Sequence, residues 1–297
     1  MEFRQILYFM EVAKLEHMTE AAESLLVAQS AISRQIANLE EELGVKLFVR
    51  QGRRLRLTPT GRMFYARMSN AMRLIEQAKR EIAEELEPEK GTVRIAFPIS
   101  LAAYMLPMVI SAFRKQYPDT KFQLKQSSYR TVIEEVMNGD FNMGLVGPVP
   151  TEDTRVNGSI LFTENIVALV PITHPLAGRS AIRLPQLEGE PLILLSKGLV
   201  FRDMIVSACV KEGFEPTVAF EGDDVDALKG LASAGLGISL IPEVTMLDNV
   251  PRSTVKIPIV DPSIPRTIGV VTPVDRELLP TETLFYNFIH SFYKAGS

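Results

Sequence analysis

Gln29, Ser30, Ser33 and Arg34 are four polar side chains within six residues. Ser33 and Arg34 leave a helix on the same side as Ser30, whereas Ile32, Ile36 and Leu39 fall on the opposite, core-facing side. A glutamine can pair bidentately with an adenine edge and an arginine with a guanine edge, while serines bond bases or phosphates. A second group follows closely. From Lys46 to Arg62 the chain carries Lys46, Arg50, Arg53, Arg54, Arg56 and Arg62 and no acid, although its formal net charge is −4. Residues 1–45 hold Arg4, Lys14 and Arg34 against eight glutamates. A basic patch in an acidic chain is the local footprint that phosphate binding needs. Arg53 and Arg54 are candidates for the minor groove or the backbone, with Arg50 nearby on the phosphates. Lys46 and Arg56 read as solvated charges, and Glu40-Glu41-Glu42 as an exposed helix face.

These side chains need elements to present them. Ile6, Phe9, Met10 and Ala13 form the inward stripe of a first helix, and Thr19 is a suitable N-cap for a short second one carrying Ala21, Ala22, Leu25 and Leu26. A third helix runs from Ser30 to Leu43 and is closed by Gly44, where a left-handed conformation is wanted. LFVR (47–50) and RLRL (54–57) flank Gln51-Gly52-Arg53 and predict a small basic hairpin, a wing. In such a head the leading residues of the recognition helix reach base edges in the major groove.

From Thr60 to Leu86 a long helix is expected. Phe64, Met68, Ala71, Ile75, Ala78 and Ile82 follow a spacing of four and three, a seam narrower than a globular helix face. Such a seam on a solvated rod predicts a second copy of the same helix, hence a homodimer through residues 60–86. Glu87-Pro88-Glu89-Lys90-Gly91 is the hinge. Strands at 92–97, 121–126, 143–147, 165–171, 191–195, 216–220, 237–241, 254–259 and 267–273 then alternate with helices, the last of them over 281–293, and predict α/β architecture with mostly parallel sheets.

Ligands of open α/β sheets sit beyond the carboxyl ends of the strands. Strand 92–97 runs into Ser100 at a helix start, strand 121–126 into Ser127 and Ser128, and strand 143–147 ends at Gly147-Pro148. Strand 191–195 leads through Ser196-Lys197-Gly198 to a helix carrying Phe201 and Arg202. Several hydroxyls, free amides and Arg202 suit a small carboxylate metabolite, and Arg130 is a further cation within reach.

Other classes are disfavoured. Gly235-Leu236-Gly237 closes a helix and opens a strand, the reverse of a dinucleotide loop; there is no G-x-S-x-G elbow or P-loop. His17, His174 and His290 offer no metal-ligand spacing, so neither catalytic residues, a metal nor a cofactor is expected. A solute-binding protein would lack the first 90 residues and carry a secretion signal, and a purely architectural DNA binder would not need 200 residues of α/β sensor. No run of about 18 apolar residues suggests a membrane span. The lone Cys209 lies among apolar residues and reads as a buried thiol; with no secretion signal evident, a cytoplasmic protein is expected.

AQSAISRQIANLEEELGVKLFVR (28–50), followed by Arg53-Arg54 and LTPTG (57–61), resembles the signature of LysR-type transcriptional regulators. The order of the remaining parts is similar to that family along essentially the full chain. AQSAISRQIANLEEEL, GPVP (147–150), TVKIPI (254–259) and RELLP (276–280) look most like the branch that activates glutamate synthase genes. The resemblance implies a winged helix-turn-helix DNA-binding domain (1–58), a linker helix and hinge (59–90), and a two-lobed effector domain like the periplasmic binding proteins (91–297). Its lobe I would be 91–163 with 266–297, and its lobe II 164–265. It further implies a dimer or tetramer on dyad-symmetric promoter DNA, contact with RNA polymerase, and altered DNA bending when a metabolite such as 2-oxoglutarate or glutamate fills the cleft. Family members are similar in using the hydroxyls after the first two strands and residues near Phe201.

Overall fold

The apolar stripes of the first 60 residues close on one another in the computed structural model, which describes residues 1–51, 54–102, 105–246 and 250–295. The chain divides into two compact units, Met1–Arg80 and Glu81–Ser297.

In the first unit, α1 (Phe3–Leu15), α2 (Met18–Ser24) and α3 (Gln29–Leu43) bury Phe9, Val12, Ala21, Ile32, Ile36 and Leu39 in one core. The hairpin β1 (Phe48–Gln51) and β2 (Arg54–Leu57) pairs antiparallel, Phe48 opposite Leu57. Gly44 ends α3 at φ 68°, as its position predicts. Several details differ from expectation. The N-cap of α2 is His17, not Thr19: the helix starts earlier, and His17 Nδ1 accepts the Glu20 amide at 3.4 Å. Glu40 is not on an exposed face. It is buried, and its Oε1 accepts the amides of Leu47 (2.8 Å) and Phe48 (3.2 Å) while Oε2 takes Lys46 Nζ at 2.7 Å. A carboxylate can enter a core when charge and amides compensate it, and here it pins the start of the wing to α3. Arg56 is bridged to Glu16 at 2.6 Å and is not merely solvated.

Pro59 opens α4 (Pro59–Leu86), roughly 42 Å long at 1.5 Å per residue. The seam is divided. Phe64 packs on the head, its ring 5.2 Å from Phe9, whereas Ala71, Ile75, Ala78 and Ile82 stand exposed. At the far end, in the second unit, Glu84 is buried and accepts the Thr281 amide at 3.2 Å.

The second unit continues with β3 (Thr92–Phe97), α5 (Ile99–Ala102), α6 (Met105–Gln116), β4 (Lys121–Gln126), α7 (Tyr129–Met137), β5 (Met143–Val146) and β6 (Val156–Pro171). Then come β7 (Ile182–Arg183), β8 (Leu192–Leu195), α8 (Val200–Lys211), β9 (Val218–Gly222), α9 (Val225–Ser233), β10 (Ile238–Pro242), β11 (Thr254–Val260), β12 (Pro265–Pro273) and α10 (Pro280–Ala295). The strands follow the order β4-β3-β5-β12-β6-β10-β8-β9, with β11 joining β6 to β7.

The sheet is mixed and not mostly parallel. β3, β4 and β5 pair in parallel, as do β8, β9 and β10, but β6 and β12 run antiparallel to each other and to their neighbours. The reason is β6, which begins at Val156 and not at residue 165. Its first half pairs with β12 from Val156–Pro273 to Asn165–Pro265, and its second half turns to β10 and β11. One strand therefore serves two cores. Val93, Ile95, Phe113, Leu145 and Phe285 fill the first, and Leu169, Leu192, Ile205, Leu228 and Leu240 the second. Cys209 is buried in the second core, which pushes its thiol up to about 11.

Candidate nucleic-acid interface and ligand cleft

Gln29, Ser30, Ser33 and Arg34 are all exposed along the leading end of α3, while Ile32, Ile36 and Leu39 are turned into the core. Ala28 occupies the N-cap and supplies no side-chain acceptor to the first amides of the helix. An uncapped helix start with serines beside it is suited to a phosphate. Gln29 and Ser33 share one concave surface with His17, Thr19, Lys46 and Arg50, so α2, α3 and β1 contribute to the same face. A helix of about 10–12 Å diameter enters a B-DNA major groove, which is about 12 Å wide. Arg50 lies exposed on β1. Arg54 opens β2, and Arg53 lies outside the described residues.

In the second unit the carboxyl ends of strands from both cores face a cleft of about 330 Å³. β3 delivers Pro98, Ile99 and Ser100; β4 delivers Gln126, Ser127 and Ser128; β5 is followed by Gly147. From the opposite side come Leu195 at the end of β8, Leu199, Val200 and Phe201 at the start of α8, and Asp223 after β9. Ser128 is the N-cap of α7, its Oγ accepting the Thr131 amide at 3.2 Å, and Ser127 Oγ donates to Glu135 Oε2 at 3.0 Å. Both hydroxyls are thereby oriented before any ligand arrives.

The floor carries Arg266, on β12 beside Glu164 of β6. It is 1% exposed. Its Nη2 donates to Ser100 Oγ at 2.9 Å, its Nη1 to Glu164 Oε1 at 3.3 Å, and the guanidinium carbon sits 5.2 Å from the Phe201 ring centre. Glu164 Oε2 accepts the Val244 amide at 2.8 Å. Burial pulls the guanidinium down to about 10, opposed by Glu164, so it stays cationic at neutral pH. Burial likewise raises the Glu164 carboxyl above its ordinary value, against the pull of Arg266 and of the Val244 amide.

Two family models match this chain. Residues 3–62 match "Bacterial regulatory helix-turn-helix protein, lysR family", and residues 86–293 match "LysR substrate binding domain". The chain belongs to the LysR family. It is 52% identical to the transcriptional dual regulator GltC of Bacillus subtilis over 99% of this chain and 98% of GltC. The fold is similar to that of full-length CbnR complexed with its target DNA (TM-score 0.75, 23% identity, 98% of this chain and 99% of CbnR). Full-length BenM is similar at TM-score 0.63 and 27% identity, covering 100% of this chain and 98% of BenM. This LysR-type chain is a DNA-binding transcriptional regulator, and not an enzyme.

Set on that frame, the predicted cleft residues separate. Ser100, Ser127, Ser128, Gly147 and Phe201 come together around this LysR-type cleft. Pro148 and Arg202 do not line it. Arg202 is buried and turned the other way, donating to the Leu195 carbonyl at 2.8 Å and bridging Glu221 at 2.9 Å. Arg130 is exposed and also lies off the cleft wall. Sequence reasoning missed Arg266, because it sits within PRTIGVVTP, a strand whose neighbours are apolar. A charge inside an otherwise buried strand was the available signal, since lone cations are seldom buried without a partner.

Proposed function

We propose that this regulator reads a dyad-symmetric promoter site through paired α3 helices and controls nitrogen and glutamate metabolism genes in response to a small carboxylate. The observation that carries this reading is the convergence of strand ends from both cores, with the serine hydroxyls that follow the first two strands, on one cleft, in a chain 52% identical to the transcriptional dual regulator GltC. A volume of about 330 Å³ lies at the small end of ligand pockets and suits a metabolite of the size of 2-oxoglutarate or glutamate.

Gln29, Ser30, Ser33 and Arg34 would read base edges, and Arg50, Arg53 and Arg54 would hold phosphates or the minor groove. Ser100, Ser127, Ser128, Gly147 and Phe201 would line the effector site. The exposed Ala71, Ile75, Ala78 and Ile82 face of α4 supports a homodimer, and two such dimers a tetramer. RNA polymerase is the partner through which promoter occupancy would act. Among the described residues no helix is long and apolar enough to cross a membrane, and we place the regulator in the cytoplasm, with its DNA.

Footprinting on the upstream regions of its own gene and of glutamate synthase genes tests the proposal. Protection of two half-sites a whole number of helical turns apart, changed in extent or bending by 2-oxoglutarate or glutamate, is expected. A footprint that ignores both acids would remove the carboxylate reading while leaving the regulator in place.

A further inference from the structure

The cleft contains one cation among its described lining residues, Arg266, and that cation is incompletely satisfied. Its Nε is buried and has no hydrogen-bond partner among the described residues. A guanidinium presents Nε and Nη2 on one edge, the fork that grips a carboxylate with two parallel bonds. Here Nη2 holds the Ser100 hydroxyl, which can turn to donate elsewhere, and Glu164 bonds Nη1 at 3.3 Å, away from that edge. The residue facing the edge is Gly147. A Cβ there would lie 2.7 Å from both Nε and Nη2, so any larger residue would cover the fork. A guanidinium in the wall of a cleft, with an Nε that lacks an acceptor and only the backbone of Gly147 in front of that edge, is suited to receive a planar anion once that backbone gives way.

Resting on the reading of this cleft as the effector site, we propose that Arg266 receives a carboxylate of the effector on its Nε–Nη2 edge and that Glu164 is its resting counter-ion, weakened or displaced when ligand binds. Glu164 is well placed for that part. It is buried, and its second oxygen holds the Val244 amide on the side of the other core. Arg266 and Glu164 are also direct partners across β12 and β6, next to the point where β6 passes from one core to the other. A ligand that draws charge from Glu164 therefore acts where the two cores are joined. Phe201 contributes the face of its ring to the same guanidinium, so the start of α8 is in contact with the receptor.

The test is titration calorimetry of the full-length protein with 2-oxoglutarate and glutamate, with glutaramide as the uncharged probe. Glu164→Gln removes the competing charge and keeps the Val244 bond, and it should tighten binding of the acids about tenfold. Adding Arg266→Met to that variant, which avoids leaving Glu164 buried and unpaired, should weaken binding by about 30-fold or more, the scale of losing a buried charge-assisted pair. Phe201→Ala reports on the cleft wall, since it removes the ring while leaving the Arg266 charge and its Nε–Nη2 edge in place. If the double variant binds the acids as Glu164→Gln does while Phe201→Ala loses them, Arg266 is not the receptor and the cleft assignment survives. If Glu164→Gln weakens binding, the counter-ion role is overturned. If the wild-type protein binds neither acid, or binds glutaramide equally well, the carboxylate reading and this inference fall together. Should the double variant not fold, the sign of the Glu164→Gln effect alone decides.

Discussion

At the scale of single residues, function here depends on which polar atoms are left unsatisfied. Arg34 is exposed at the leading end of α3, on the side away from the core-facing Ile32, Ile36 and Leu39. Arg34→Ala should cost roughly 1–3 kcal/mol of specific binding and relax one base position, read by gel shift against operator variants. Arg50→Ala should lower affinity across all sequences alike and reduce the slope of log affinity against log salt by about 1. Equal losses on operator and random DNA for Arg34→Ala would place that side chain on the backbone. Arg202 shows the opposite condition. A cation next to a cleft-lining loop in sequence is spent on Leu195 and Glu221, and nothing in its local spacing announces it.

At the scale of elements, two buried carboxylates hold pieces together in different ways. Glu40 satisfies the Leu47 and Phe48 amides, so Glu40→Ala should strand both and cost about 2–4 kcal/mol of local stability. Faster amide exchange across 46–50, with weakened DNA binding, is the expected result; unchanged exchange would mean the wing is set by its hairpin alone. Glu282, at the start of α10, is fully buried, with Arg276 at 2.8 Å and the Leu279 amide at 3.0 Å on one oxygen and no partner on the other. Burial raises its carboxyl above 4.5, with Arg276 opposing. The folded state thus holds this proton more tightly than the unfolded chain does. That stability is complete below about 4.5 and is lost as pH rises through the raised folded value. In melting experiments from pH 4.5 to 7.5 the wild type should therefore lose ground to Glu282→Gln with rising pH. A constant difference would refute the raised value.

At the scale of the whole molecule, α4 is the element whose requirements one chain does not meet. Its first turns are tied to the head through Phe64 and its last through Glu84, but Ile75 and Ile82 between them remain exposed. Each such side chain buried in a dimer contributes about 1.5–3 kcal/mol, twice per dimer. Ile75→Asp should consequently raise the dimer dissociation constant by about two to four powers of ten, seen by sedimentation, and abolish binding to paired half-sites before single ones. A dimer of unchanged strength would move the interface elsewhere.

Helix α3, the basic hairpin, the seam and the strand ends at Ser100, Ser127, Ser128 and Gly147 were all legible in the sequence, because each rests on short-range periodicity, a turn residue or the polarity of neighbours. The first half of β6 was not. VNGSILFTEN is half exposed and reads as loop, and only pairing with β12, a hundred residues later, makes it a strand. Glu40, Arg202 and Arg266 escaped for the same reason: the fate of a charged side chain depends on partners brought up by the fold and not by its neighbours in the chain. Local order of the backbone was therefore decided by sequence, whereas the pairing of Arg266 with Glu164, Ser100 and Phe201 exists only once β12, β6, α5 and α8 meet.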